Sequence, residues 1–186
     1  SLAGTTRDSI DTPFTVNDKH YVAIDTAGLV KKGRIYESVD KFASIRALRA
    51  IDRSNVAILV IDASVGILDQ DRHVAGYAFE AHKGIVIVVN KWDEAPKGLM
   101  QTEFEKEIRS RFKFLDFAKI IFTSAKTLKG VSKILPSIDE AYTSCCRRVP
   151  TSILNEIISD AQALNPTPDF NHGRLNIKFA SQVSVN

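Results

Sequence analysis

Four consecutive residues, Asn90-Lys91-Trp92-Asp93, directly follow an apolar run that is typical of a buried strand. An asparagine amide can donate and accept hydrogen bonds at the edge of a purine ring. A carboxylate three positions on can accept two N–H bonds from guanine, which adenine does not offer in that geometry. The Lys91 stem can lie over the plane of the base. The spacing favours a guanine-binding loop, and the alternative is an ordinary turn with an asparagine cap and a solvated acid.

A second short segment, Ser124-Ala125-Lys126, follows the next apolar run along the chain. Its small residues would let the backbone approach a base oxygen, and the lysine could cover the other face of the base. As an isolated tripeptide it carries little information. Its place after the strand that follows Asn90 and Asp93 makes it corroborating evidence for the same pocket.

Two segments upstream have the residue types of a magnesium and phosphate site. Residues 25–28 read Asp-Thr-Ala-Gly after an apolar run. An acid there can hold magnesium through water, and the glycine lets a backbone N–H approach a terminal phosphate. Residues 4–8 read Gly-Thr-Thr-Arg-Asp, in which a threonine hydroxyl can join the magnesium shell and respond to the third phosphate. Taken alone, either segment is equally compatible with an ordinary polar turn.

Alternating strands and helices are predicted to position these segments. Apolar runs rich in Val and Ile predict strands buried on both faces of a parallel sheet. Amphipathic spacing predicts the intervening helices. Such an alternation is typical of an open α/β sheet, whose ligands bind beyond the carboxyl ends of the strands. The predicted strands are 21–25, 56–62, 85–90 and 119–124, and the predicted helices are 37–51, 70–82, 102–112 and 131–146.

The pattern changes near Pro150. Residues 151–164 predict a further helix with Thr151 as its N-cap, followed by a turn over 165–169. From Arg174 onward apolar and polar residues alternate, which predicts a half-buried strand rather than a fully buried one. We therefore expect one domain over 1–148 and the beginning of a second over 149–186.

Bulk composition excludes several classes of protein. The 186 residues are 44% hydrophobic with a net charge of +3, which suits a globular chain and gives no specific sign of a nucleic-acid partner. The only cysteines, Cys145 and Cys146, are adjacent and have no histidine at a metal-ligand spacing, so two free thiols in a reducing compartment are expected. No apolar run approaches the ~20 residues of a membrane span. Because the chain begins at Ser1 and its last residues resemble an unfinished strand, both ends are expected to be cut.

In this order, the four segments match the signature segments of GTPases. The run Asp-Thr-Ala-Gly followed by Leu-Val-Lys-Lys-Gly-Arg-Ile at 29–35, together with Asn-Lys-Trp-Asp, resembles the second GTPase domain of the EngA/Der family of ribosome-assembly GTPases. The resemblance covers essentially the whole chain, and residues 172–183 resemble the start of that family's KH-like domain. It implies a P-loop NTPase-type α/β GTPase domain with a mostly parallel sheet covered by helices, followed by a partial KH-like α+β domain.

The resemblance also implies a set of site residues and ligands. The ligands would be GTP or GDP with magnesium, and potassium as an assisting cation. The partners would be the large ribosomal subunit or its rRNA and the first GTPase domain of the same chain, in the cytoplasm and away from any membrane. Implied nucleotide contacts are Gly28, Asn90, Lys91, Asp93, Ser124, Ala125 and Lys126; implied magnesium contacts are Thr6 and Asp25; implied switch residues are Thr5, Thr6, Asp25, Thr26, Ala27 and Gly28.

Two departures limit what this chain can do. No run in it reads Gly-x-x-x-x-Gly-Lys-Ser/Thr, the loop that cradles the phosphates. The domain is therefore expected to lack its first strand and phosphate loop, and to bind nucleotide weakly. Leu29 stands where other GTPases place a glutamine that orients water, so hydrolysis would be slow without help and no catalytic residue is assigned. The ligand of a potassium ion would lie in the absent loop.

Some basic residues and the function itself leave alternatives open. Lys31, Lys32 and Arg34 are either solvated loop charges or a nucleotide-dependent contact with RNA or a neighbouring domain. The tail lacks the Gly-x-x-Gly of a KH-type RNA clamp. For the function, a GTP-hydrolysing switch competes with a non-catalytic RNA, ribosome or domain–domain interaction module that keeps the GTPase shape.

Overall fold

The computed structural model describes residues 10–25, 47–166, 168 and 175–183. By contacts, the chain divides into two compact units, Ser1–Tyr142 and Thr143–Asn186. The domain boundary at 148/149 stays a prediction, since the division between units falls within a helix that runs on to Cys145.

An antiparallel hairpin opens the first unit. Strand β1 (Ile10–Val16) pairs along its whole length with β2 (Lys19–Asp25). The two-residue turn between them consists of Asn17 and Asp18, with φ of 51° and 61°. Asparagine and aspartate tolerate this left-handed conformation, which the favoured hairpin turns require.

The hairpin corrects the prediction for residues 21–25. We expected a strand buried on both faces of a parallel sheet, but β2 is antiparallel and Val22 is 60% exposed. A partner strand only two residues away forms a local hairpin, and an apolar run by itself does not reveal the direction of its neighbour. Across the hairpin Phe14 stacks on Tyr21 with ring centroids 5.3 Å apart.

Two polar contacts tie the hairpin to the rest of the first unit. The Arg53 guanidinium donates to both carboxylate oxygens of Asp11 at 2.9 and 3.0 Å. Asp139 accepts hydrogen bonds from the Lys19 ammonium at 2.6 Å and from the Tyr21 hydroxyl at 3.0 Å. All these groups lie near the surface, so the contacts fix orientation more than they add stability.

A parallel sheet forms the centre of the first unit. Its strands are β3 (Val56–Asp62), β4 (Gly84–Asn90) and β5 (Lys119–Phe122), in the order β3-β4-β5. In β4 every residue before Asn90 is buried, as predicted. For β3 the prediction of burial on both faces is wrong, because Leu59 and Ile61 are buried on one face whereas Ile58 and Val60 on the other are 43% and 57% exposed.

Helices cover the sheet and confirm the predicted α/β fold. Residues 47–53 are helical, followed by α1 (Asp69–Glu80), α2 (Gln101–Arg111) and α3 (Ile134–Cys145), with short 3₁₀ turns at Trp92–Glu94, Lys113–Leu115 and Val131–Lys133. The four-residue spacing of Phe104, Ile108 and Phe112 places all three in one buried core with α1. On the other face Val86, Val88 and Ile121 pack against Ile134, Ile138 and Ala141 of α3.

The second unit begins with the end of α3 and continues into α4 (Thr151–Leu164). The helix has the predicted bounds, but its N-cap is Pro150 rather than Thr151, and no side chain caps it. Neither Cys145 nor Cys146 forms a disulfide. Burial raises the pKa of the Cys145 thiol.

The strand predicted from Arg174 onward is a second correction. Residues 175–183 have no regular secondary structure, and Leu175 and Phe179 are 70% and 69% exposed. Amide side chains of α4 take the place of a neighbouring strand. Asn155 both donates to the carbonyl and accepts from the N–H of Ala180, at 2.8 Å each. Gln162 does the same at Ile177, at 3.2 and 2.7 Å.

Candidate functional site

The carboxyl ends of β3, β4 and β5 lie side by side, because all three strands run in the same direction. Asp62, the last residue of β3, is in register with Asn90, the last residue of β4. Backbone bonds continue beyond the strands. The N–H of Ala63 donates to the backbone carbonyl of Asn90 at 2.9 Å, and the N–H of Trp92 donates to the backbone carbonyl of Thr123 at 3.0 Å. The loops after β4 and β5 therefore start from a fixed common edge.

Asn90 joins those two loops. Its Oδ1 accepts the N–H of Ala125 at 3.0 Å and lies 3.3 Å from the Thr123 hydroxyl. The amide oxygen is thus engaged within the protein, and the amide NH₂ is the part of the side chain left to serve a ligand as a donor. The sequence predicted that Asn90 could both donate to a base and accept from it. With its oxygen bonded within the protein, the side chain has only the donor role left.

Asp93 and Ser124 form the second link between the same loops. A hydrogen bond from the Ser124 hydroxyl is the main reason that the pKa of Asp93 lies below its ordinary value, and the Lys126 charge lowers it further. The Ser124 Oγ also accepts the N–H of Thr127 at 3.1 Å, and the residue is only 3% exposed. Asp93 is therefore a carboxylate at neutral pH, and a buried hydroxyl favours its charged form.

The two lysines of the site differ in how firmly they are held. Lys91 has a left-handed backbone, with φ of 57°, and its ammonium lies 2.6 Å from Oδ2 of Asp62. The hydrogen bond with Asp62 raises the pKa of Lys91. Lys126 is more exposed, and its ammonium is 3.6 Å from the Glu94 carboxylate. At that distance and exposure the second pair adds little.

Three residues that sequence reasoning did not select shape this site. Trp92 packs edge-to-face against Phe104 and Phe122, with ring centroids 5.9 and 4.7 Å apart, which anchors the loop after β4 in the core. Thr123 is 3% exposed and its hydroxyl faces Asn90. The aromatic residue inside Asn-Lys-Trp-Asp and the threonine before Ser124 were the available signals.

Gly130 is the third of these residues. It has φ of +77°, and a Cβ at this position would lie 2.3 Å from the carbonyl oxygen of Phe122. Only glycine allows the loop to pass this close to the end of β5. Just before Gly130, the Lys129 carbonyl accepts the N–H of Ser124 at 2.9 Å, so the end of the loop is bonded to its beginning.

Comparison with known proteins identifies the family. A family model described as "50S ribosome-binding GTPase" matches residues 1–91. GTPase Der of Bacillus cereus is 50% identical over all 186 residues, and so is GTPase Der of Bacillus mycoides. The chain belongs to the Der family of GTPases. It spans 43% of the length of these Der relatives.

Solved structures support the fold of this Der-family chain. Era in complex with MgGDPNP and a segment of 16S ribosomal RNA superposes with a TM-score of 0.63 at 20% identity, over 74% of this chain and 45% of Era. Elongation factor SelB of Methanococcus maripaludis, in complex with GppNHp, gives 0.56 at 20% identity, over 73% of this chain and 28% of SelB. At this identity the two likenesses concern the fold alone, and they bear out the predicted P-loop GTPase fold.

The remaining predicted site residues of this Der-family chain lie outside the described part of the structure. These are Thr5, Thr6, Thr26, Ala27 and Gly28, and also the basic residues Lys31, Lys32 and Arg34. The backbone of Asp25 ends β2, and its side chain lies outside the described part of the structure. Among the described residues, no three His, Cys, Asp or Glu side chains form a group able to hold a metal ion. In that same part of the chain no helix has the length and apolarity needed to cross a bilayer.

Proposed function

We propose that the pocket beyond β4 and β5 binds the guanine base of GTP or GDP, as part of a GTP-hydrolysing switch. The observation that carries this proposal is that Asn90 Oδ1 accepts the N–H of Ala125, in the loop that begins at Ser124, at 3.0 Å. The lowered pKa of Asp93, whose main cause is the Ser124 hydroxyl, agrees with it. Two predicted base-reading side chains and the predicted base-covering loop thus form one polar cluster. A pair of unrelated turns would not require such links between them.

The chemistry of the cluster suits guanine. The Asn90 NH₂ group is a donor for an acceptor on the purine edge, while the Asp93 carboxylate accepts the two N–H groups that guanine presents and adenine does not. Charged acceptors make the stronger hydrogen bonds, so Asp93 would carry most of the selectivity. Lys91 would cover one face of the base and Lys126 the other, with the Ala125 backbone at the base oxygen.

The phosphate and magnesium functions are assigned to the upstream segments by resemblance. Thr6, with Thr5 beside it, and Asp25 would hold magnesium, and Gly28 would contact the third phosphate. Thr26 and Ala27 complete the second switch segment. We infer that this chain by itself binds nucleotide weakly, because no phosphate-cradling loop occurs within its 186 residues. A potassium ion assisting hydrolysis would depend on that same loop.

The proposed biological setting is supported by the relatives rather than by this site. The matching family model is described as ribosome-binding, which supports a role in assembly of the large ribosomal subunit in the cytoplasm. The partners would be that subunit or its rRNA, together with a first GTPase domain of the same chain. We propose that residues 149–186 begin a KH-like domain, as the resemblance implies.

Nucleotide preference tests the proposal directly. GTP and ATP binding with magnesium would be measured by calorimetry, on this chain and on a version extended by about 30 residues upstream, the reach of a strand–loop–helix unit. We expect the extended chain to bind GTP and to discriminate strongly against ATP. Equal affinities for the two nucleotides would refute the guanine assignment. Selective binding without turnover would favour the non-catalytic interaction module.

The role of Asp93 has its own test. Asp93→Asn in the extended chain places an amide where guanine offers N–H groups, so affinity should move from GDP towards xanthosine diphosphate, whose base presents an oxygen there. Glu94→Gln is the matched control, because it removes the neighbouring acid of the same loop, whose carboxylate lies 3.6 Å from the Lys126 ammonium. Unchanged guanine selectivity in Asp93→Asn would contradict the role given to this residue.

A further inference from the structure

Asp62 is a fixed carboxylate next to the base pocket. Its Oδ1 accepts hydrogen bonds from the Ser64 N–H at 2.9 Å and from the Ser64 hydroxyl at 2.6 Å. Its Oδ2 lies 2.6 Å from the Lys91 ammonium. Both oxygens are thus engaged, one by the loop after β3 and the other by the loop after β4.

The strands account for this placement. Asp62 and Asn90 are the terminal residues of adjacent parallel strands and are in register, so the residue after Asn90 begins directly beside Asp62. Lys91 leaves β4 with φ of 57° and ψ of 36°, a conformation uncommon for a residue with a Cβ. This backbone turn and the ion pair together restrict both ends of a side chain that would otherwise be among the most flexible.

The surroundings of the Asp62–Lys91 pair favour the charged form of Asp62. Burial alone would raise the pKa of Asp62, but hydrogen bonds from Lys91 and Ser64 outweigh it and hold the pKa below its ordinary value. The Lys91 side chain is 52% exposed and that of Asp62 31%, so water screens the attraction in part. The effect of the pair is therefore greater on the position of Lys91 than on global stability.

We propose that Asp62 is a positioning residue of the base pocket, whose carboxylate anchors the Lys91 ammonium and thereby holds the Lys91 stem in place beside Asn90 and Asp93. This inference rests on the proposed guanine-binding function. A pre-positioned stem loses less conformational entropy when a base packs on it, so the anchor increases affinity for the nucleotide. It does not change which base is chosen, because Asp62 contacts neither Asn90 nor Asp93 through its side chain in the described hydrogen bonds.

A double-mutant cycle in the full-length protein tests the anchor. The variants are Asp62→Asn, Lys91→Met and the double variant, with affinities for GDP and inosine diphosphate measured by calorimetry. We expect Asp62→Asn to weaken both nucleotides by about 3- to 10-fold, and to weaken them by less than about 2-fold when Lys91 is already Met. A purely structural role for Asp62 would give the same loss in both backgrounds. That result would overturn the proposal.

Ser64→Ala is the matched control. It removes the hydroxyl bond to Asp62 but leaves the Lys91 pair in place, so GDP affinity should change by less than about 2-fold. If the full-length wild type binds GDP and Asp62→Asn binds it equally well, the anchor is wrong while the guanine assignment stands. If the wild type does not discriminate GDP from ADP, the guanine assignment fails and the anchor fails with it.

A further measurement needs no variant at Asp62. Reductive methylation with ¹³C-formaldehyde followed by NMR titration reports the pKa of individual lysines, with Lys91→Arg used to assign the signal. We expect the Lys91 pKa to lie above that of an unpaired lysine in the nucleotide-free protein. An unshifted Lys91 would show that the ion pair does not form in solution and would overturn the anchor.

Discussion

The side-chain oxygen of Asn90 accepts the backbone N–H of Ala125 at 3.0 Å, across a gap of 35 positions in the chain. This bond connects the end of β4 to the loop after β5. The same oxygen lies 3.3 Å from the Thr123 hydroxyl. One amide thus holds two loops together and fixes the direction in which its own NH₂ group points.

Asn90→Ala should reduce stability as well as ligand binding. The substitution leaves the Ala125 N–H without its acceptor and the Thr123 hydroxyl with only the Val89 carbonyl, at 3.4 Å. A loss of about 1–2 kcal/mol in the free energy of unfolding is expected, measured by urea denaturation. Asn55→Ala is the control, since the bond from Gly84 to Asn55 uses the backbone carbonyl. Equal losses in the two variants would contradict the bridging role of Asn90.

Gly130→Ala should be among the more damaging single substitutions in the first unit. Its Cβ would lie 2.3 Å from the Phe122 carbonyl oxygen, which belongs to a strand and cannot move aside easily. Together with the positive φ, this predicts a loss of about 3 kcal/mol. Thermal unfolding followed by circular dichroism would measure it.

Gly66→Ala separates the two causes. Gly66 has a similar φ of +86°, but nothing lies within 4 Å of its added Cβ. Only the conformational penalty applies there, about 1 kcal/mol. If Gly130→Ala and Gly66→Ala cost the same, the close approach to Phe122 is not what requires glycine at position 130.

Leu128→Gly should stabilise the protein. Leu128 has φ of 60° and its side chain is 73% exposed, so the leucine bears a backbone penalty without much burial to offset it. Relief of that penalty predicts a gain of about 0.5–1 kcal/mol in urea denaturation. Leu128→Ala keeps a Cβ and should give no such gain. A gain of equal size in Leu128→Ala would show that side-chain exposure, and not the backbone, is responsible.

Stability should depend on pH in opposite directions through two aspartates. The pKa of Asp62 is lowered, so its contribution is complete above the unfolded-state value of about 3.9 and is lost as pH falls through the folded-state value. The advantage of wild type over Asp62→Asn should therefore shrink as pH is taken from about 6 to about 3.

Asp71 should give stability the opposite dependence on pH. Burial raises its pKa despite the hydrogen bond that it accepts from the N–H of Leu68. A raised folded-state pKa favours the folded protein at low pH, and this contribution is lost as pH rises through that value. Relative to Asp71→Asn, wild type should gain stability over the same descending pH range. Urea midpoints at several pH values measure both differences, and parallel trends would contradict the assignment.

Much of the architecture could be predicted from local pattern. The Val- and Ile-rich run of β4 predicts a strand buried on both faces, and the structure has it so. The four-residue spacing of Phe104, Ile108 and Phe112 predicts the buried face of α2 and its C-terminal flank. These features are local because burial selects apolar residues at the period of the element itself.

The sequence was a poorer guide to which segment lies beside each strand. The prediction for 21–25 had the right strand and the wrong sheet, although the Asn17-Asp18 turn beside it was a usable hairpin signal. The alternation after Arg174 predicted a strand, whereas the backbone of Ala180 and Ile177 is bonded by the Asn155 and Gln162 side chains of a helix. Apolar alternation records which side of a chain is suited to burial, and it does not record what lies beside the backbone.

The sequence by itself determined the family of this protein, the alternating buried strands and amphipathic helices of its α/β fold, and the candidate residues that we propose read a guanine base. These follow from residue types at fixed short spacings. Only the tertiary structure decided that Asn90 has its oxygen committed to Ala125, that Asp62 anchors Lys91, and that Gly130 must be glycine. Each of these depends on atoms from segments far apart in the chain, which come within bonding distance only once the parallel strands have set their common edge.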